Sequence, residues 1–474
     1  MSHRFQLHML GRAALALRPL RVSAGGLGRP LRYCASAAPG AGHRERFDDD
    51  PPLTTYNGNI WANRGDHNMH RNVQFSGMEL MFFGTGSAIP SPPRNTSSLA
   101  LRLQGMTWLF DCGEGTQSQI YRTPLTLGSI KRIFITHLHG DHVNGLPGLV
   151  VSICQFLEQE TRVLEIYGPK GLYEFLEVNL RLTRSDRGRA LRGMLRVHEL
   201  VTSAPGAMDS PPMQNGKSFL EHAYIPPVAG STHWEIDVAE SDGGASGSRQ
   251  SKQTSYTMTA APLRHSMPCV GYVVQESDKP GQIDEDECRR RGLTPGPAYG
   301  ELKAGRDVQL PCGGTLRAEE VVAPAKLGRK VVILGDTADS REIEPLARGA
   351  DVLVHESTLP DRERRKALSV GHSTPVLAGQ FAKKIAAHHL VLTHFSNKHS
   401  GYNAMKGFTR EAIKAFGSKR VVAAKDFSAF PIPRRGEQVK IMSVKSEGSG
   451  LAGSGDDGDG GWAAVPFQPR ENDQ

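Results

Sequence analysis

Arg132-Ile133-Phe134-Ile135-Thr136-His137-Leu138-His139-Gly140-Asp141-His142 decides how the rest of this sequence is read. Its first part, RIFIT (132–136), is β-branched and aromatic and reads as a short strand. The second part sets three imidazoles and a carboxylate within six residues. Those are the ligand types that Zn²⁺ and similar borderline metals take. On a strand, His137 and His139 point the same way, at period two. A turn through Gly140 then lets Asp141 and His142 face a second ion about 3.5–4 Å from the first, the usual two-metal spacing. The competing account, a chance histidine-rich surface turn, does not explain four ligands at this spacing on a strand-to-helix turn.

Further ligand types stand at the ends of later apolar runs. His265 follows YTMTAAPLR, Asp336 follows VVILG and His394 follows LVLT. Polar residues at the C-terminal ends of apolar strands are where α/β folds place chemistry. Asp336, with two oxygens, suits a bridge between two ions. Taken singly, His265 and His394 also fit partly buried, hydrogen-bonded histidines, and Asp336 fits a helix N-cap before Thr337. Glu356 in VHEST and His372 in GHSTP read as a carboxylate orienting an imidazole that donates a proton to a leaving oxygen. The plainer alternative makes Glu356 a cap and His372 a surface loop residue.

Around these motifs, short strands alternate with helices. Strands are expected at MELMFFG (78–84), SLALRL (98–103), TWLF (107–110), LEIYG (164–168), YTMTAAPL (256–263), GYVV (271–274), KVVILG (330–335), ADVLVH (350–355), HLVLTH (389–394) and RVVAAKD (420–426). Helices are expected over 144–159, 170–181, 375–387 and 403–416. Strands followed by mixed β/α units occur in both halves, which suits an α/β fold of two sheets covered by outer helices. Pro, Gly, Ser and Asp clusters over 202–254 read as an inserted loop, largely disordered.

The termini have a different composition. Residues 1–44 carry seven arginines and no acid, with apolar positions such as Phe5, Leu10 and Leu17. That pattern is expected of an organelle transit peptide, mitochondrial in first place and plastid as the alternative. Residues 45–77 read as a linker and 446–474 as a solvated acidic Gly/Ser-rich tail. The net charge of +8 is therefore mostly the leader's, and the mild excess left in the middle neither demands nor excludes an RNA partner. No run approaches the roughly 20 apolar residues of a membrane span. The six cysteines show no C-x-x-C pair and read as reduced thiols.

THLHGDH resembles the signature of the metallo-β-lactamase superfamily, whose fold is an αββα sandwich with metals at one edge. The motif alone leaves other hydrolases of that superfamily open, acting on a thioester or another phosphodiester. LMFFGTGSAIPSPPRNTSSLAL, LFDCGEGTQSQIYR, APLRHSMPCVGYVV, LTPGPAYGELKAG, VVILGDT, VHEST, GHSTP and LVLTHFSNK are together similar, in order and spacing, to the short form of tRNase Z over about residues 78–443. That resemblance implies a zinc-dependent endoribonuclease that removes the 3′ trailer of precursor tRNA, working as a homodimer with two Zn²⁺ per subunit. It implies one ion on His137, His139 and His265, a second on Asp141, His142 and His394, and Asp336 bridging. Asp141 is implied as the base acting on water, and His372 with Glu356 as the proton-donor pair. It also implies a protruding tRNA-binding arm over 276–324, with Arg289, Arg290, Arg291, Pro295, Gly296 and Pro297 as contacts. Arg94 and Asn95 are implied as contacts near the cleaved end. The family loop commonly reads Pro-x-Lys-x-Arg-Asn, whereas this chain has Pro90-Ser91-Pro92-Pro93-Arg94-Asn95, with Pro92 at the lysine place.

Overall fold

The computed structural model describes residues 75–157, 162–185, 191, 193–202, 219–238, 255–399 and 401–435. The leader, residues 45–74 of the linker and the tail lie outside the described residues, as do 436–443 and most of the 202–254 segment.

Two sheets lie face to face. The first contains β1 (Met78–Gly84), β3 (Ser98–Leu103), β4 (Met106–Phe110), β5 (Ile130–Phe134), β6 (Leu164–Pro169), β7 (Leu195–Leu200), β8 (Glu221–Ile225) and β19 (Ala429–Pro431), in the order β19-β1-β3-β4-β5-β6-β7-β8. The second contains β9 (Trp234–Ile236), β10 (Tyr256–Leu263), β11 (Cys269–Glu276), β14 (Lys330–Leu334), β15 (Val352–Glu356), β16 (His389–Thr393) and β18 (Val421–Ala423), in the order β18-β16-β15-β14-β11-β10-β9. Each sheet is antiparallel at one side and parallel at the other: β4 through β8 run parallel in the first, and β14, β15, β16 and β18 in the second. The parallel strands β14 and β16 are buried on both faces, which is why KVVIL and HLVLT read as continuous apolar runs instead of alternating ones.

The core between the sheets is aromatic. Phe134 of β5 stacks on Tyr167 of β6 at 5.0 Å and meets Tyr272 of β11, from the other sheet, edge-on at 5.4 Å. Burying each such ring stabilises by roughly 1.5–3 kcal/mol. The Tyr272 hydroxyl donates to the Ile135 carbonyl at 2.7 Å, so the second sheet is pinned to the chain just before the histidine motif. On the outer face of the first sheet, α1 (Thr116–Tyr121), α3 (Leu146–Leu157) and α4 (Leu172–Leu182) cover residues such as Ile133, Ile166 and Val197. On the outer face of the second, α8 (Glu344–Ala347), α10 (Pro375–Lys384) and α11 (Tyr402–Phe416) cover Val332, Leu353 and Leu390. The architecture is the αββα metallo-β-lactamase sandwich.

Between β11 and β14 the chain leaves the sheet and builds a small unit of its own. It comprises α5 (Glu285–Arg290), α6 (Pro297–Lys303), the hairpin β12 (Val308–Gln309) and β13 (Thr315–Leu316), and α7 (Ala318–Val321). Cys288, Leu293, Tyr299, Leu302, Leu316 and Val321 form its core. The expected arm thus has a folded interior.

Three expectations need correction. The 202–254 segment is not simply an inserted loop: EHAYI forms β8, which extends the first sheet beside β7, and WEI forms β9, which pairs with β10. Trp234 is buried between the sheets, donating its indole N–H to the Val201 carbonyl at 2.9 Å. The histidine motif does not ride on a strand either, because β5 ends at Phe134. The Thr136 N–H turns aside to the Asp111 carboxylate at 2.7 Å, which takes the chain off the ladder before His137. The helix expected over 375–387 stops at Lys384, where Ala386 takes a positive φ of 52° that no α-helix continues through.

Candidate metal centre

Every ligand-type residue singled out above lies just past the C-terminal end of a strand: His137, His139, Asp141 and His142 after β5, His265 after β10, Asp336 after β14 and His394 after β16. The sandwich brings these ends to one edge. His139 Nδ1 lies 3.0 Å from His137 Nε2 and 3.1 Å from His265 Nε2, so three imidazole nitrogens converge on one point. Beside them, His142 Nε2 and His394 Nε2 are 3.2 Å apart, and His394 Nε2 is 3.2 Å from Asp141 Oδ2. Asp336 sits between the two groups, with Oδ2 3.7 Å from His137 Nε2 and Oδ1 3.5 Å from His142 Nε2. His137, His139, His265 and Asp336 form one possible metal cluster, and Asp141, His142 and His394 another.

The outer nitrogens show that these rings are aimed. His265 Nδ1 faces the Gly371 carbonyl at 2.7 Å, and His142 Nδ1 faces Asp111 Oδ2 at 2.7 Å. His137 Nδ1 faces Thr136 Oγ1 at 3.0 Å, and His394 Nδ1 faces Thr358 Oγ1 at 2.9 Å. A metal-binding histidine typically donates its second nitrogen in this way, which fixes the tautomer and leaves a lone pair on the inner one. One proton cannot satisfy three converging nitrogens, whereas a cation can. The donor set of imidazoles and carboxylates at these separations fits zinc, for which adjacent ligands of a tetrahedron stand about 3.3 Å apart.

Electrostatics follow the same division. Burial pushes the His137 imidazole well below its ordinary value, with His142 beside it acting in the same direction. Burial also opposes charge on His142, but the carboxylates of Asp336 and Asp111 override it and hold that ring well above the ordinary value. Asp336 is held well below the usual carboxylate range: burial alone would raise it, and the surrounding imidazoles, His394 first, reverse that.

His372 lies against both clusters, forming a third possible metal group with Asp336 and His394, but its nearest partner is a carboxylate outside them. Its Nδ1 lies 2.9 Å from Glu356 Oε1 and 3.7 Å from Asp336 Oδ2. Burial works against the charged ring, but the Glu356 carboxylate outweighs it and lifts the imidazole to about 9. Glu356 is fully enclosed and accepts from the backbone N–H groups of Thr337 (2.9 Å) and Thr358 (3.2 Å). It therefore orients His372 instead of capping a helix. His372 lines a cavity of about 360 Å³ together with Ala88, Glu114, His139, Asp141, Asn144 and His394.

Two groups of expected contacts are placed differently from the rest. Arg94 is interior, only 3% exposed, and its Nη1 donates to Thr85 Oγ1 (2.5 Å) and to the Ala424 carbonyl (2.8 Å). Asn95 gives its backbone N–H to Asp426 and its side-chain amide to the Glu114 carbonyl. The burial of Arg94 corrects the expectation that its guanidinium touches substrate, whereas Asn95 stays half-exposed. Arg289, Arg290 and Arg291 do lie on the arm, in and just after α5, but each is ion-paired there. Arg289 meets Glu285 and Asp286, Arg290 meets Glu287, and Arg291 meets Glu287 and Glu320. Residues 276–324 hold ten acidic against seven basic side chains, so the arm is not a basic patch. Pro295, Gly296 and Pro297 are exposed in the turn that leads into α6.

Sequence reasoning missed the supports. Asp111, at a left-handed φ of 57° after β4, accepts from Thr136 N, Thr136 Oγ1 and His142 Nδ1. Thr358 links Glu356 to His394, and the Gly371 carbonyl aims His265. Only Asp111 carried a signal, an acid directly after an apolar strand.

A family profile described as "Anti-Pycsar protein Apyc1" matches residues 78–209. The chain is 36% identical over 359 residues to "Ribonuclease Z" of Halalkalibacterium halodurans, covering 75% of this chain and 99% of that protein. It is 37% identical over 380 residues to the human "Zinc phosphodiesterase ELAC protein 1", again covering 75% of this chain and 99% of the relative. Among solved structures, human tRNase Z, short form, is 31% identical with a TM-score of 0.49, covering 75% of this chain and all of that one.

Proposed function

This chain belongs to the ribonuclease Z family, and from that premise we propose that it is an endoribonuclease that removes the 3′ trailer from precursor tRNA, leaving a 3′-hydroxyl on the tRNA and a 5′-phosphate on the trailer. One observation carries the reading: two ligand groups converge from the strand ends of both sheets, with Asp336 within 3.7 Å of His137 in one and 3.5 Å of His142 in the other, in the lining of an open cavity. Each group would hold one zinc ion, with Asp336 between them. Zinc held there would supply a water of lowered pKa, from about 15.7 toward about 7, and positive charge to offset that developing on phosphorus.

The chain's own groups do the rest. Asp141 reaches the cavity with Oδ2 held by the Ala88 N–H at 2.7 Å, and it orients the attacking water and takes a proton from it. As the water oxygen bonds to phosphorus, the bond from phosphorus to the tRNA 3′ oxygen breaks. His372, kept charged by Glu356, lines the same cavity and delivers its proton to that leaving oxygen. The arm is then the element for the folded RNA body, read by shape and backbone more than by base. Its arginines must exchange carboxylate partners for phosphates, which is a small loss because exposed ion pairs contribute only about 0–1 kcal/mol.

The test is cleavage of a precursor tRNA carrying a 3′ trailer, with both new ends mapped and zinc compared with a chelator. Zinc-dependent cutting after the last base-paired region supports the reading; hydrolysis of a thioester with no cut in the RNA would overturn it. The same reading includes a homodimer, which light scattering of the purified chain would decide. It also includes delivery to mitochondria by residues 1–44, refuted by a fluorescent fusion of residues 1–60 that stays diffuse in the cytosol. Among the described residues no helix is long and apolar enough to cross a membrane.

A further inference from the structure

The segment 85–96 runs past the cavity and back. Ser87 and Ala88 line that cavity, and Ala88, at a positive φ of 67°, aims its N–H at Asp141 Oδ2. Just before it, β2 (Gly86–Ser87) pairs in parallel with β17 (Phe395–Ser396), which begins directly after His394. One two-residue ladder therefore ties the N–H on Asp141 to the backbone that carries His394, itself at a positive φ of 58°.

Beneath the ladder lies the buried knot around Arg94. Its guanidinium bonds Thr85 and the Ala424 carbonyl and lies 4.5 Å over the ring of Phe395. Asp426 completes the knot, accepting from Thr85 Oγ1 at 2.7 Å and from the Asn95 N–H at 2.6 Å. So Arg94 and Asp426 grip both ends of segment 85–96 and the residue after His394, yet neither lines the cavity. The other ligand group is supported elsewhere, His137 by Thr136 and His265 by Gly371.

We propose that Arg94, together with Asp426, is a positioning residue for one ion site alone, that of Asp141, His142 and His394, and that it makes no contact with RNA. The inference rests on the two-ion reading above and deepens it. A guanidinium suits the task because one of its nitrogens, Nη1, bonds two oxygens while its planar face stacks on a ring. An ammonium at the same place could still donate to those oxygens but loses the planar stacking. Supports of metal ligands typically contribute 10–100-fold to metal affinity, and the loss here falls on the second site only.

The experiment uses the full chain, stripped of metal and titrated with zinc against a chromophoric chelator, for wild type, Arg94→Gln, Arg94→Lys and Asp426→Asn. Hydrolysis of bis(p-nitrophenyl) phosphate and of precursor tRNA is measured alongside. The wild type is expected to take up two zinc ions. Arg94→Gln keeps the first at wild-type affinity and binds the second at least about tenfold more weakly, with Arg94→Lys between them. At subsaturating zinc the rates on both substrates fall by the same factor, and KM for the RNA is unchanged. Equal weakening of both ions would overturn the proposal in favour of general loosening. Unchanged zinc binding with a raised KM for precursor tRNA alone would overturn it in favour of an RNA contact. Should Arg94→Gln not fold, the isosteric Asp426→Asn gives the same readout. A wild type that takes up a single zinc overturns the two-ion reading itself, and the wild-type curve alone tells that failure from the others.

Discussion

Replacing Asp111 separates the support of a ligand from the support of the fold. Its Oδ1 accepts from Thr136 N at 2.7 Å, and its Oδ2 accepts from Thr136 Oγ1 at 2.9 Å and His142 Nδ1 at 2.7 Å. Asp111→Gly suits the φ of 57° but strands these donors in the interior. At roughly 1–3 kcal/mol for each of the three buried donors left without a partner, the loss is about 3–9 kcal/mol, a large fraction of a domain's stability. Asp111→Ala adds about 1–2 kcal/mol of backbone strain at the same φ. Asp111→Asn is the informative change. Asparagine tolerates that φ, and its carbonyl must face Thr136 N, a donor that cannot reverse. Its NH₂ is then turned toward Thr136 Oγ1, which can rotate to accept, and toward His142 Nδ1. The imidazole relieves the clash by moving its proton to Nε2, the nitrogen that faces Asp141, Asp336 and His394. A protonated Nε2 cannot bind a metal ion. Asp111→Asn is therefore expected to unfold in urea within about 1.5 kcal/mol of wild type while binding one of two zinc ions 10–100-fold more weakly, about 1.4–2.8 kcal/mol. Chelator competition and a urea titration of metal-free protein measure the two quantities. An Asn variant that keeps both ions at wild-type affinity would show that the His142 tautomer is not set by Asp111.

Three further outcomes follow from the same geometry. His139→Ala removes the nitrogen on which His137 and His265 converge, so zinc content and RNA cleavage should be lost together; metal analysis showing two ions in an inactive variant would contradict this. His372→Ala should keep both ions and slow the chemical step by roughly 10²–10⁴-fold; if zinc content falls in step with rate, His372 is a ligand. Reversing the charge of Arg289, Arg290 and Arg291 should raise KM for precursor tRNA and flatten its salt dependence, because phosphate contacts release counterions. Hydrolysis of a small phosphodiester should be unchanged, and an unaltered KM on the RNA would leave the run as a self-paired helix face.

The parts of this protein that were legible in its sequence share one physical property: their signal is local. A strand buried on both faces announces itself as an apolar run, and a ligand at its end as a polar residue after it. That is how β5, β10, β14 and β16 and all seven ligand-type residues could be named. Where the signal is local but weak, reading failed. The strand β8 is half-exposed along EHAYI and β9 is three residues long, so neither offers the alternation that would have separated it from a loop.

What remained illegible is set by contacts between distant positions. Arg94 is implied as a substrate contact because its loop resembles the family's Pro-x-Lys-x-Arg-Asn. What holds it inside is the Ala424 carbonyl, 330 residues away, with the Phe395 ring beside it, contacts that no window of sequence contains. The run Arg289–Arg291 shows the same limit at short range: its acids at 285–287 were visible, but Glu320 closes the pairing of Arg291 only because α7 folds back beside α5. The aim of each imidazole is more hidden still. His265 is oriented by the carbonyl of Gly371, and a carbonyl is carried by every residue and marked by none. The glycine is nonetheless meaningful there, since its φ is +83° and a Cβ would come within 2.8 Å of His265 Nδ1. A motif names which atoms could bind a metal; the distant backbone that turns them toward one another decides whether they do.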